Sequence, residues 1–161
     1  MKTRLLSSSE GRREWALVMD AGDEAVAELA AFARGNALGA AHFTGIGAFS
    51  GLTVAWFDLG ARKYRPVRLP EQVEVLSLVG DVARGKDGPS VHAHVCVAKR
   101  DATAHGGHLL EARVQPTLEV ILVESPSHLV KTFRPEVGLA LIDPLKGPAV
   151  PAAPSQPKPF K

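Results

Sequence analysis

Residues 20–36, DAGDEAVAELAAFARGN, carry the clearest helical pattern in this 161-residue chain. Apolar side chains recur at the spacing of an amphipathic helix, at Val26, Leu29, Ala30 and Ala33. Asp20 and Asp23 precede them as candidate caps, because a carboxylate accepts hydrogen bonds from the free N–H groups that begin a helix. Gly35-Asn36 is a typical stop. The sequence therefore predicts one helix here.

On both sides of this helix the pattern is that of short β-strands separated by glycine and proline. The predicted strands cover residues 14–19, 41–44, 52–58, 73–82, 91–99, 117–123, and finally 129–133 with 138–142. One helix among about seven short strands predicts an α+β domain whose mostly antiparallel sheet is flanked by the helix. We assign residues 1–145 to this domain.

The positive charge of the chain is concentrated at its end. Lysine and arginine total 19 against 17 acidic residues, a formal net charge of +2. Three of the lysines follow the last acid, Asp143, so residues 1–143 carry 16 basic and 17 acidic groups, a formal −1. Residues 146–161, rich in proline, alanine and lysine, hold too little apolar surface to offset chain entropy, and we predict a disordered tail.

Composition argues against several classes of protein. No apolar run approaches the roughly 18–20 residues of a membrane-spanning helix, and the first 15 residues lack the apolar stretch of a signal peptide. Aromatic residues, at 6%, are too few for a platform that stacks single-stranded nucleic acid. The one cysteine, Cys96, cannot form an internal disulfide. We therefore expect a cytoplasmic protein without a membrane partner.

The strongest chemical signal lies in residues 90–110, SVHAHVCVAKRDATAHGGHLL. Alternation in its first part predicts a strand with His92 and His94 on one face, their Cα atoms roughly 6.5–7 Å apart. Two such imidazoles can converge on one cation, about 2.0–2.1 Å from each nitrogen. A predicted loop, KRDATAHGG, follows this strand, and its Gly106-Gly107 lets the backbone double back and approach closely, which delivers His108. The pattern predicts a three-histidine metal site with an open position for water or an anion.

The spacing alone leaves alternatives open. Histidines on strands are often hydrogen-bonded structural groups rather than ligands. His105 competes with His108 for the third position, but it precedes the glycines and is expected to be more exposed. Cys96 shares the histidine face, yet a lone cysteine flanked by valines is more often a small core residue, and we leave it out of the site.

Two acids interrupt apolar strand segments, Glu74 in VEVLSLV and Glu119 in TLEVILV. A buried carboxylate needs a partner, and a histidine ring N–H is a good one. We predict that Glu119 and Glu74 support the histidine rings or do acid–base work beside the metal. The alternative is a solvated position on an edge strand. No catalytic nucleophile or base can be identified.

Together these segments resemble the plants-and-prokaryotes-conserved (PPC) domain family, in its bacterial and archaeal single-domain form. Over residues 4–143 the matching pieces occur in the family's order: DAGDEAVAELAAFARGN, FTGIGAFSGLTVAWFD, VEVLSLVGDV, VHAHVCVA, HGGHLLEARV and TLEVILVE. The resemblance implies an α+β fold, a homotrimer, and a metal site near a subunit interface on His92, His94 and His108. Zinc suits imidazole ligands, although nickel, copper and iron accept them too.

The family is commonly labelled DNA-binding, and the resemblance carries this as an expectation. The related AT-hook nuclear-localised proteins of plants grip DNA with a separate AT-hook, whose Arg-Gly-Arg-Pro core is absent here. The remaining candidates are the tail and a predicted loop with four basic side chains, Arg62, Lys63, Arg65 and Arg68.

Three functional hypotheses follow. In the first, a homotrimeric PPC-domain protein binds DNA and carries a three-histidine zinc site. In the second, the protein is a metal-dependent enzyme, or a sensor of a small ligand or anion, that uses the same site and binds no DNA. In the third, the histidines only hold subunits together.

Overall fold

The computed structural model describes residues 1–147 and shows a mostly antiparallel sheet with one helix packed on it. In chain order the elements are β1 (Lys2–Ser9), β2 (Arg12–Met19), α1 (Ala25–Gly35), β3 (Ala40–Asp58), β4 (Lys63–Leu69), β5 (Val73–Gly85), β6 (Gly88–Ala98), β7 (Ala104–Glu124), β8 (Val130–Arg134) and β9 (Leu139–Asp143). Within residues 1–147 only β5 and β8 pair in parallel. The predicted α+β class is confirmed. The predicted tail, 146–161, lies outside the described residues apart from its first two.

Helix α1 packs its apolar face on β6 and β7. The buried residues of that face are Ala25, Leu29, Phe32 and Ala33. The cap is Glu24, whose carboxylate accepts hydrogen bonds from two N–H groups of the first turn, so the prediction of Asp20 or Asp23 as the cap was wrong. Asp23 instead accepts a hydrogen bond from the Asp20 N–H and pairs with the N-terminal ammonium. The helix ends at Gly35 as predicted.

Among the described residues, no helix has the length and apolar character needed to span a bilayer.

The described residues hold nine strands rather than about seven, because two edge strands lack an apolar alternation. All eight residues of β1 are exposed, and β1 is held by main-chain pairing with β2. Strand β4 was predicted as a loop, but it pairs with β3 along its whole length. Pro66 is tolerated there because an edge strand leaves one row of N–H groups unpaired.

Strand β3 runs through glycines that were predicted to separate two strands. Register shifts around Gly45, Gly47 and Gly51 mark bulges at which β3 bends. A Cβ at Gly47 would lie 2.3 Å from the Thr117 carbonyl oxygen, so only glycine permits this approach. The first half of β3 pairs with β5 and the second with β4, while both halves pair with β7. Strands β3, β5, β6 and β7 therefore pair in a closed circuit around the core.

Candidate metal centre

The structure brings together the three histidines that the spacing singled out. His92 and His94 lie on β6, and His108 lies on β7 directly opposite His94. One ligand nitrogen from each lies within 4.8 Å of the other two, and the Nε2 atoms of His92 and His94 are 3.2 Å apart. Two nitrogens on one tetrahedral ion, each bonded at about 2.0–2.1 Å, are separated by roughly 3.3 Å. The cluster therefore has the dimensions of a metal site. His94 is exposed, which leaves the cluster open on one side.

Two glycines set the position of His108, although they lie within β7 rather than in the predicted loop. Gly106 pairs with Cys96, and Gly107 pairs with Val95. A Cβ at Gly106 would lie 2.5 Å from the carbonyl oxygen of Val95. Because glycine has no Cβ, β7 can approach β6 here, and the next residue, His108, falls opposite His94.

Asp81 on β5 holds the ring of His92. Its Oδ2 lies 3.3 Å from His92 Nδ1, which leaves Nε2 for the centre of the cluster. The ammonium of Lys131, on β8, lies 3.2 Å from the other carboxylate oxygen, Oδ1. Burial raises the pKa of Asp81, but the contacts with His92 and Lys131 outweigh it, and the net pKa is below its usual range. An ionised carboxylate on the far nitrogen is the usual means of orienting a metal-binding histidine.

His108 is suited to bind a metal as a neutral ring. It stacks on Tyr64 from β4, with ring centroids 4.4 Å apart. Its Nδ1 is buried and has no hydrogen-bond partner among residues 1–147. Burial, and then the charges of His92, His94 and Lys131, lower its pKa to about 4; burial and then His92 also lower the pKa of His94. Both rings are thus neutral at pH 7, the form that binds metal ions.

The structure does not bring Glu74 or Glu119 to the histidines. Both side chains are exposed. Glu74 pairs with Ala98, at the end of β6 away from His92, and Glu119 lies beside Ile46 in the other half of β7. His105 is exposed and Cys96 is half-buried, and both lie outside the cluster. The carboxylate that contacts a histidine is Asp81 instead.

Asp81, Tyr64 and Lys131 were missed from the sequence, and only the first had a local signal. The turn between β5 and β6 joins Gly85 to Gly88. Asp81 and His92 each lie four residues from that turn, so the hairpin register alone pairs them. Lys131 reaches the site through the parallel pairing of β8 with β5, which no short segment specifies.

The four basic residues predicted to bind DNA do not form one charged surface. Arg62 donates a hydrogen bond to the Pro135 carbonyl, and Arg65 pairs with Asp58 at 2.9 Å. Along β4, Lys63 and Arg65 lie on one face and Arg68 on the other, because side chains alternate along a strand. Two of the four cations are therefore used within the chain, and the remaining two, both exposed, point apart.

Comparison with known proteins identifies the fold. A Pyrococcus horikoshii plant- and prokaryote-conserved (PPC) protein is 27% identical, with a TM-score of 0.77 over 83% of this chain and 93% of that chain. A metal-containing protein from Archaeoglobus fulgidus is 29% identical, with a TM-score of 0.76 over 88% of this chain and 99% of its own. A Ralstonia eutropha protein named "putative DNA-binding protein" is 28% identical, with a TM-score of 0.75 over 80% and 90% of the two chains.

A comparison with curated proteins gives no match. The model of the Plants and Prokaryotes Conserved (PCC) domain matches residues 6–126, about three-quarters of the sequence. With the solved structures covering most of the same residues, the chain belongs to this family, the PCC or PPC domain family.

Proposed function

We propose that this protein holds a divalent transition metal, zinc by preference, on His92, His94 and His108. The ion's open position then takes a small ligand, and the protein acts as a metal-dependent enzyme or a ligand sensor. The observation that carries the proposal is the convergence of three ligand nitrogens within 4.8 Å on two adjacent, paired strands. The Archaeoglobus relative described as metal-containing supports it.

Residues around the histidines orient them and keep His108 neutral. Asp81 fixes the ring orientation of His92, Tyr64 packs on His108, and burial keeps His108 neutral. A bound ion of this kind supplies Lewis acidity and acidifies a water in its open position. Because the three protein ligands are neutral, the site keeps the full positive charge of the ion and favours negatively charged ligands.

Metal analysis of the full-length protein, purified without added metal or a histidine tag, tests this proposal. We expect about one transition-metal ion per chain, and zinc added to chelator-treated protein should restore that ratio. Protein that carries no metal and does not bind zinc at micromolar concentration would overturn the proposal.

The Asp81→Asn variant should bind metal about 10- to 100-fold more weakly, which is the usual effect of removing an orienting carboxylate from a ligand histidine. The asparagine keeps the size of the side chain but loses the charge that holds His92. Zinc affinity measured by chelator competition gives the result. Asp20→Asn, which removes a carboxylate paired with Lys2 at the surface, serves as the control and should not change it. Equal zinc affinities for the two variants would contradict the role of Asp81.

DNA binding by a homotrimer is the second candidate function. The Ralstonia relative's name supports it, and threefold assembly would multiply the exposed Lys63 and Arg68. The assembly itself is supported by exposed apolar side chains on three neighbouring strands, Ile46, Leu76 and Ile121. Sedimentation equilibrium should give three times the chain mass.

Duplex titrations should show DNA binding that falls steeply with salt. No binding of micromolar protein to the duplex at low salt would exclude this function.

A further inference from the structure

A cavity of about 370 Å³ adjoins the histidine cluster. His92 and His108 line it on the side of the cluster, together with Lys131, and Leu139 and Leu141 of β9 contribute apolar surface. This volume lies in the range of pockets that enclose small organic molecules. A ligand in the cavity would therefore lie against two of the three proposed metal ligands.

Lys131 is the unusual side chain of this cavity. Its side chain is only 8% exposed, and its ammonium pairs with Asp81. The ammonium lies 3.2 Å from Asp81 Oδ1, and this contact uses at most one of its three N–H donors. The other two donors stay available to a ligand on the cavity side, because Lys131 lines the cavity. Lys131 thus offers donors to whatever occupies the cavity.

The charges around the cavity favour an anion. Imidazoles bind a metal ion as neutral rings and Asp81 balances Lys131, so the charge of a bound divalent ion is left uncompensated. Water alone could satisfy the ion and the lysine. The two leucines, however, gain nothing from water or from an inorganic anion, whereas a carbon chain buries against them.

We propose that this cavity binds a small organic carboxylate. Lys131 donates hydrogen bonds to the anion, and Leu139 and Leu141 contact its carbon chain. The inference rests on the metal site of the proposed function, and it adds the class of ligand and the residue that recognises its charge.

The full-length protein loaded with Co²⁺ gives a direct test, because the visible spectrum of the ion reports changes at its open position. Formate, butyrate and inorganic phosphate are the probes. We expect butyrate to change the spectrum with a Kd at least tenfold lower than formate or phosphate. Phosphate that binds more tightly than butyrate would overturn the assignment to an organic ligand, and the absence of a response to every probe would overturn the anion site.

The Lys131→Met variant should bind butyrate at least tenfold more weakly while its affinity for Co²⁺ stays within about threefold of wild type. Lys99→Met is the matched control, since Lys99 also pairs with an acid, Glu71, but lies outside this cavity. Unchanged butyrate affinity in Lys131→Met would refute the role of Lys131.

If circular dichroism shows that Lys131→Met does not fold, two other variants test the proposed carboxylate site. Lys131→Arg should keep butyrate binding, and Leu139→Ala should reduce the preference for butyrate over formate; failure of both would refute the proposal. Wild-type protein that binds no Co²⁺ contradicts the metal site itself. Protein that binds Co²⁺ without responding to carboxylates contradicts only the present inference.

Discussion

Replacing His94 with alanine should remove the bound metal, with affinity for zinc falling about 10²- to 10³-fold. Structural zinc sites of four ligands have apparent binding free energies of about 10–16 kcal/mol, or roughly 3 kcal/mol for each ligand. His94 supplies an Nε2 atom 3.2 Å from that of His92, and it lies opposite His108. Without it, the remaining two histidines hold an ion only weakly. Metal content after dialysis and chelator competition measure the loss.

His105→Ala is the control for this experiment. His105 lies on the same strand as His108 and is exposed, but its ring contacts Thr103 rather than the cluster. This variant should keep the wild-type metal content. The proposal would not survive if a double variant, His92→Ala with His94→Ala, retained the same amount of metal as wild type.

Gly80→Ala should destabilise the fold by about 3 kcal/mol, the upper end of what overpacking of a core costs. A Cβ at this position would lie 2.2 Å from the Phe43 ring and 2.5 Å from the carbonyl oxygen of His92. The ring is 1% exposed and fixed in the core. The carbonyl belongs to the backbone of β6, which can move only by disturbing its pairing with β5. Urea unfolding of the full-length protein gives the change in free energy.

Gly85→Ala, on the same strand, is the control for Gly80→Ala. The nearest atoms to its added Cβ would be the Ser90 Cβ at 3.4 Å and the Gly88 oxygen at 3.5 Å, both ordinary contacts. We expect a loss of less than about 1 kcal/mol there. If the two variants unfolded at the same urea concentration, the close packing inferred at Gly80 would be wrong.

The histidine cluster could be predicted because its geometry is local. His92 and His94 share a strand face through simple alternation, and the partner strand begins only a few residues after β6 ends. The same locality pairs Asp81 with His92 through their hairpin. Lys131 follows Asp81 by 50 residues, and its approach depends on where β8 docks, which no local pattern encodes.

The glutamates and the edge strands show where sequence patterns mislead. Glu119 is followed at the next outward position by Ile121, which is 42% exposed. Apolar residues on both faces of β7 make its sequence resemble that of a strand buried on both sides. For this reason the sequence predicted a buried Glu119, whereas its side chain is exposed. Strands β1 and β4, in contrast, were not predicted as strands at all. They are held by backbone pairing, and their side chains show little apolar alternation.

The pairing of β6 on both of its edges has a consequence for the proposed metal site. Backbone hydrogen bonds to β5 and β7 hold the strand that carries His92 and His94, and the circuit through β3 closes around the same core. In small zinc domains, folding depends on the free energy of metal binding, and the domain unfolds without the ion. Here the three histidines of the proposed site are held in place by strand pairing. We therefore expect the fold to persist when the proposed ion is removed with a chelator.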